Sequence, residues 1–133
     1  KERSGSMRGK VLSIVITLPL LLALGIGSMT AARHISLEGQ RYAGEILSAM
    51  RAGEPESAYQ AARRLEEIWR RWETWLQLWV CHEDTDEVRE KLQLVLCGLE
   101  NDSRAMTLEN ATLLREALEH LHHRDDVTWS NVF

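Results

Sequence analysis

The residues best suited to chemistry in this chain are His82, His120, His122 and His123, with Glu83, Asp86, Glu116 and Glu119 near them in sequence. Imidazole and carboxylate together suit zinc, and imidazole changes charge near neutral pH. Glu116 and His120 stand four apart, as do Glu119 and His123, so on a helix each pair shares a face. If the fold brings His82 and Glu83 beside His120 and His123, the four form a candidate zinc or pH-sensing cluster. The spacing is loose, and no tight pattern such as His-Glu-x-x-His is present. Histidine near a helix C-terminus also complements the helix dipole with no metal at all. The pattern leaves both readings open: a binding or sensing module, or helix capping with surface charge.

The two cysteines, Cys81 and Cys97, are the other reactive groups. An antiparallel turn near Asp84 sets Cys81 beside Glu87 and Cys97 beside Arg71. The offset is roughly ten residues, or ~15 Å at helical rise, against the ~7 Å that a disulfide allows between Cα atoms. No intramolecular bridge is expected, even on an oxidising side of a membrane. Cys97 falls opposite Val88 on its helix and is expected to be partly exposed. A bond to a second molecule is the alternative to two small apolar side chains. Catalytic readings run out of parts, because no Ser or Cys nucleophile has an ordered base that the pattern can place and no glycine-rich phosphate loop occurs. The chain reads as a non-enzyme.

Helices must position these groups. Ile35, Tyr42, Ile46 and Met50 recur at helical spacing, with Gly39 on the same side. Gly53 is a natural C-terminal stop and Pro55 a natural first-turn residue. A second helix is expected from Pro55 to Cys81. Its apolar stripe, about 120° wide, carries Ala58, Ala61, Leu65, Ile68, Trp69, Trp72, Trp75, Leu76 and Trp79, with Arg63, Arg64, Glu67, Arg70, Arg71 and Glu73 off it. Four of the five tryptophans on one stripe read as core, which a domain this small needs, or as an aromatic groove for a ligand or partner helix. A third helix is expected from Asp84, where Asp84 and Glu87 resemble a capping box, with Val88, Leu92, Val95 and Leu99 inward. Asn101-Asp102-Ser103 is the next turn. A fourth helix is expected from Ser103 to His122, with Met106, Leu113, Leu114, Ala117, Leu118 and Leu121 as its apolar residues. Val127, Trp129, Val132 and Phe133 in the tail are expected to fold back onto the bundle. Short connections make neighbouring helices antiparallel, with paired positions of the last two summing to about 205.

The segment Val11 to Ala32 is uncharged and mostly apolar, from Leu12 to Ile26 above all. Its 22 residues span roughly 33 Å as a helix, enough for a ~30 Å hydrocarbon core. Pro19 is tolerated in such a helix. Lys1, Arg3, Arg8 and Lys10 precede it, which by the positive-inside rule keeps residues 1–10 cytoplasmic and exports residues 33–133. Met7 reads as a candidate start, and residues 1–6 are set aside from fold reasoning as added sequence. The rival reading is a signal peptide cleaved after the small residues Thr30-Ala31-Ala32, leaving a secreted domain.

Residues 33–133 hold 12 Lys and Arg against 19 Asp and Glu, a net charge of about −7. That excludes the basic face nucleic acid requires and argues against attraction to anionic lipid. Only Pro19 and Pro55 occur as prolines, and no alternating strand pattern appears. The expected fold is all-α: an N-terminal transmembrane helix running into an antiparallel bundle of about four helices. About 20 residues of the first helix, or ~30 Å, lie between the anchor and Gly53, and the second helix returns ~40 Å. Trp75 to Trp79 then come down to the level of Ala32, in the headgroup zone that tryptophan favours. Trp75, Trp79 and His82 are therefore the expected contact with lipid or with another membrane protein.

The short anchor, Trp72 and Trp79, His82-Glu83 with Asp86 and Val88, the Leu118-Glu119-His120-Leu121 segment and the closing Ser130-Asn131-Val132-Phe133 together resemble a domain-of-unknown-function family of spore-forming and related bacteria, numbered 4363. The resemblance covers most of the chain from Met7 on. It implies a single-pass, membrane-anchored helical protein in a bacterial, extracytoplasmic setting, with a membrane-protein partner or self-association and no settled activity. The cysteines and His122-His123 are not part of the family pattern. A bacterial setting also makes the glycosylation sequons at Asn101 and Asn110 irrelevant. The expected function is that of an interaction or accessory subunit of a membrane assembly. The alternative is an extracytoplasmic sensor in which His82, Glu83, His120 and His123 take a metal ion, zinc among the candidates, or respond to pH.

Overall fold

The computed structural model describes the backbone of residues 3–78, 80 and 82–130, and the side chains of these except residues 3–8, 28–29 and 122–130. The described chain forms four helices, α1 (Arg3–Ala52), α2 (Pro55–Leu76), α3 (His82–Glu100) and α4 (Arg104–Ser130), and no strand occurs among the described residues. The chain divides into two units, Lys1–Ala31 and Ala32–Phe133. In the first, the side chains of Val11 to Ile26 are exposed throughout, and an 18-residue window of mean hydropathy 2.3 is long and apolar enough to cross a membrane.

The second unit owes its shape to two turns of the same kind. Gly53, at φ 78°, ends the first helix: its N–H reaches the Met50 carbonyl at 3.4 Å, and the Glu54 N–H reaches Ala49 at 2.9 Å. These two bonds make a Schellman motif, which closes the last carbonyls of a helix around one left-handed residue. Pro55 then starts α2, where its missing N–H costs nothing. Asp102, at φ 51°, repeats the arrangement at the end of α3: its N–H reaches Leu99 at 3.3 Å, and Ser103 N–H reaches Gly98 at 2.8 Å. The Ser103 carbonyl accepts the first helical bond of α4, from Thr107 N–H at 3.0 Å.

The core is continuous from Ala32 to Leu121. Ile35, Ala43, Ile46 and Met50 of α1, Ala58, Ala62, Leu65 and Trp69 of α2, Val88, Leu92 and Val95 of α3, and Leu114 and Leu118 of α4 are buried together. The α3–α4 hairpin is close-packed because Gly98 has no side chain: a Cβ there would meet Thr107 Oγ1 at 2.7 Å. That pairing is the register expected of a turn at Asp102. Gly39 admits Leu118 in the same way, and beside it Ser36 Oγ donates to the Leu118 carbonyl at 2.5 Å, a buried bond that ties the first helix to the fourth. The α2–α3 seam is held on its outer side by Arg89, which donates to Glu73 at 2.8 Å and to Asp86 at 2.7 Å.

Three boundaries depart from the sequence expectations. α2 ends at Leu76 rather than Cys81. Gln77 N–H still reaches Glu73, but Leu78 N–H turns to the nearer Trp75 carbonyl at 3.2 Å, so the spiral tightens and stops. Leu78, just past the helix, is 73% exposed, whereas Val80 packs against the core. α3 begins at His82, two residues before the expected Asp84, so Asp84 lies inside the helix rather than at its cap. The bond that closes its first turn comes from Thr85 Oγ1 to the His82 carbonyl, at 2.9 Å. The tail does not fold back as far as Ser130, because α4 continues through that residue with no Gly or Pro after Arg104 to break it. Val132 and Phe133 lie outside the described residues.

Candidate functional site

The two turns place the Gly53–Pro55 and Asn101–Ser103 connections at one end of the bundle. A cavity of about 250 Å³ opens between them, with Met50, Pro55 and Leu99 as apolar walls and Asp102, Ser103 and Arg104 at its polar side. The opposite end collects Ala32, the last turn of α2, the first turn of α3 and the part of α4 around Leu121. Each expected site residue with a described position falls at that second end.

The α2 stripe is less uniform than its sequence. Trp69 is buried, Trp75 half-buried and Trp72 39% exposed, although Trp72 lies inside the arc spanned by the buried Ala61, Leu65 and Trp69. The Trp72 and Trp75 rings meet edge to face, with centroids 5.8 Å apart at 80°, the geometry aromatic quadrupoles favour. The Trp69 indole N–H has no hydrogen-bond partner among the described residues. Trp79 and Cys81 lie outside the described residues. The tryptophans therefore serve both expectations at once: Trp69 is core, whereas Trp72 and part of Trp75 form an open aromatic ledge on the last turn of α2.

His82, Glu83 and His120 are exposed. The antiparallel hairpin brings the first turn of α3 and the region of His120 on α4 to the same end. Their side chains do not converge: among the described residues, no group of three His, Cys, Asp or Glu is arranged to hold a metal ion. The side chain of His123, the fourth expected ligand, is outside the described ones. Exposed carboxylates instead line the α3 surface, where Glu83, Asp86, Glu87 and Glu90 share a face with Lys91, which pairs with Glu90 at 3.2 Å. Cys97 is a free, exposed thiol, and the Asn101 amide donates to its Sγ at 3.4 Å.

The sequence had no signal for the cavity at the turn end, because it exists only where two connections distant in sequence meet. Gly98 was the available clue, a glycine in a strongly helical stretch whose absent side chain marks a close approach.

These features define a class: a small all-α bundle carried on a chain that also holds one helix long and apolar enough to cross a membrane. The family description "Domain of unknown function (DUF4363)" matches residues 37–132, and the chain belongs to that family. Neither a curated protein nor a solved structure matches the chain.

Proposed function

We propose that this chain is a single-pass membrane protein whose bundle lies outside the cytoplasm and serves as an interaction or accessory subunit of a membrane-protein assembly. The observation that carries the reading is the uncharged segment that ends at Ala32, with basic residues before it and an acidic helical bundle with its own apolar core directly after it. The bias in basic residues sets the orientation, and the surplus of carboxylates on the bundle directs it away from nucleic acid. The sequence pattern, which places no nucleophile beside an ordered base and no phosphate-cradling loop, supports a binding role over catalysis.

Cys97 supplies a direct test of orientation, since its thiol is exposed and free. In whole cells carrying the Cys81→Ser variant, a membrane-impermeant maleimide is expected to label Cys97 without permeabilisation. Labelling only after permeabilisation overturns the orientation. The accessory role is tested by purifying the full chain from its own membranes in mild detergent and identifying what accompanies it. A second membrane protein in fixed stoichiometry is expected, and a chain recovered alone overturns the role.

A further inference from the structure

We infer that Trp72 and Trp75 form an aromatic ledge that sits in the lipid headgroup zone and fixes how the bundle meets the bilayer. The inference rests on the reading of Val11–Ala32 as the membrane anchor and names the surface that the same membrane covers.

Three observations converge on the ledge. The first is position. Ala32, buried in the bundle core, is joined directly to the uncharged segment, and it lies about 20 residues from the Gly53 turn along the first helix. Trp75 lies 20 residues beyond Pro55 along the returning α2, so both stand ~30 Å from the same turn at helical rise. Trp72 is one turn nearer to it. The second is exposure. A residue in the inward arc of α2 is expected to be covered, as Leu65, Trp69 and Leu76 are, yet Trp72 keeps 39% of its surface and Leu78, just past the helix, keeps 73%. The bundle leaves an apolar surface open only a few residues from the end that adjoins the anchor. The third is chemistry. Indole joins a large apolar face to a polar N–H edge, a combination that concentrates tryptophan at the membrane–water boundary.

The occupant is lipid rather than an acidic or basic protein face, because the ledge itself is apolar and uncharged. The bundle's net negative charge also means that anionic headgroups are not what draws it in. Binding at the ledge is therefore expected in zwitterionic bilayers and to be insensitive to salt.

The test uses the full chain in phosphatidylcholine vesicles whose acyl chains carry bromine close to the headgroup. Flotation with the vesicles reports the anchor alone. Bromine quenching of tryptophan fluorescence reports the ledge. In vesicle-bound protein, Trp72→Phe and Trp75→Phe are each expected to lower the quenched share of the emission, and Trp69→Phe, which removes a buried ring, is expected to leave the quenched intensity unchanged. Helical circular dichroism confirms that each variant is folded. A chain that does not float overturns the anchor and the ledge with it. A chain that floats with unquenched Trp72 and Trp75 overturns the ledge alone and assigns that surface to a protein partner. Quenching that appears only with anionic lipid and vanishes in high salt overturns the apolar mechanism.

Discussion

The glycines in the helices of this bundle divide by what a methyl group would meet, and that division predicts opposite effects for the same substitution. Gly44 has nothing within 4 Å of a built Cβ. Gly44→Ala is expected to stabilise the bundle by about 0.5–1 kcal/mol, the helix-propensity difference between the two residues. At Gly98 the Cβ would lie 2.7 Å from Thr107 Oγ1 and 3.0 Å from the Thr107 backbone nitrogen. Backbone cannot step aside as a side chain can, so Gly98→Ala is expected to cost about 1–3 kcal/mol through overpacking. At Gly39 the obstacle is the far end of the Leu118 side chain, at 2.8 Å, and Gly39→Ala should fall between the two. Urea unfolding of the three variants gives the order, and Gly98→Ala as stable as Gly44→Ala would contradict the close hairpin. The two turns make a second pair. Gly53 and Asp102 occupy equivalent left-handed positions, so Gly53→Ala is expected to cost about 1–2 kcal/mol, whereas Asp102→Gly removes the strain of a Cβ in that region and is expected to gain up to about 1 kcal/mol. Thermal melts decide both, and a destabilised Asp102→Gly would mean that the carboxylate holds the turn by a contact of its own.

Helix number and most inward residues were legible before any coordinates, because they follow from periodicity. Val88, Leu92, Val95 and Leu99 are buried as their spacing demands, and Gly53 with Pro55 marks a boundary that the turn realises bond for bond. What stayed illegible depended on neighbours rather than on the segment itself. The α2 stripe continues in sequence to Trp79, but the helix ends at Leu76, where the Leu78 N–H turns to the Trp75 carbonyl. Leu113 lies among the apolar residues of α4 yet is 37% exposed. At the candidate site, register brings His82 and His120 to one end, where both are exposed, and the His123 side chain lies outside the described ones. The α2–α3 seam shows how little such surface polarity contributes to stability. Arg89 bridges Glu73 and Asp86 at good distances, but all three are partly or largely exposed. Arg89→Ala is expected to cost no more than about 1 kcal/mol, and the cost should shrink further as salt is raised. A loss well beyond that, unchanged in high salt, would show that the arginine stem packs as part of the core.

At the scale of the whole chain, the question is whether the bundle needs its N-terminal segment in order to fold. Among the described residues, the buried core lies between Ala32 and Leu121, and the first of its members, Ala32, opens the second unit. Removing residues 1–31 therefore deletes no buried side chain of that core. It also leaves intact both turns, the Ser36–Leu118 bond and the Gly98–Thr107 contact. The net charge of residues 33–133 keeps copies apart. A fragment of residues 32–133 is accordingly expected to be water-soluble, to show a helical spectrum and to unfold in one cooperative thermal step, the behaviour of a domain this size with a single core. It should also lose the flotation with vesicles that is expected of the full chain. A fragment that melts gradually, with no cooperative transition, would mean that the uncharged segment stabilises the bundle as well as tethering it. A cooperative fragment separates the two jobs physically: folding belongs to Ala32 onward, and the segment before it contributes location alone.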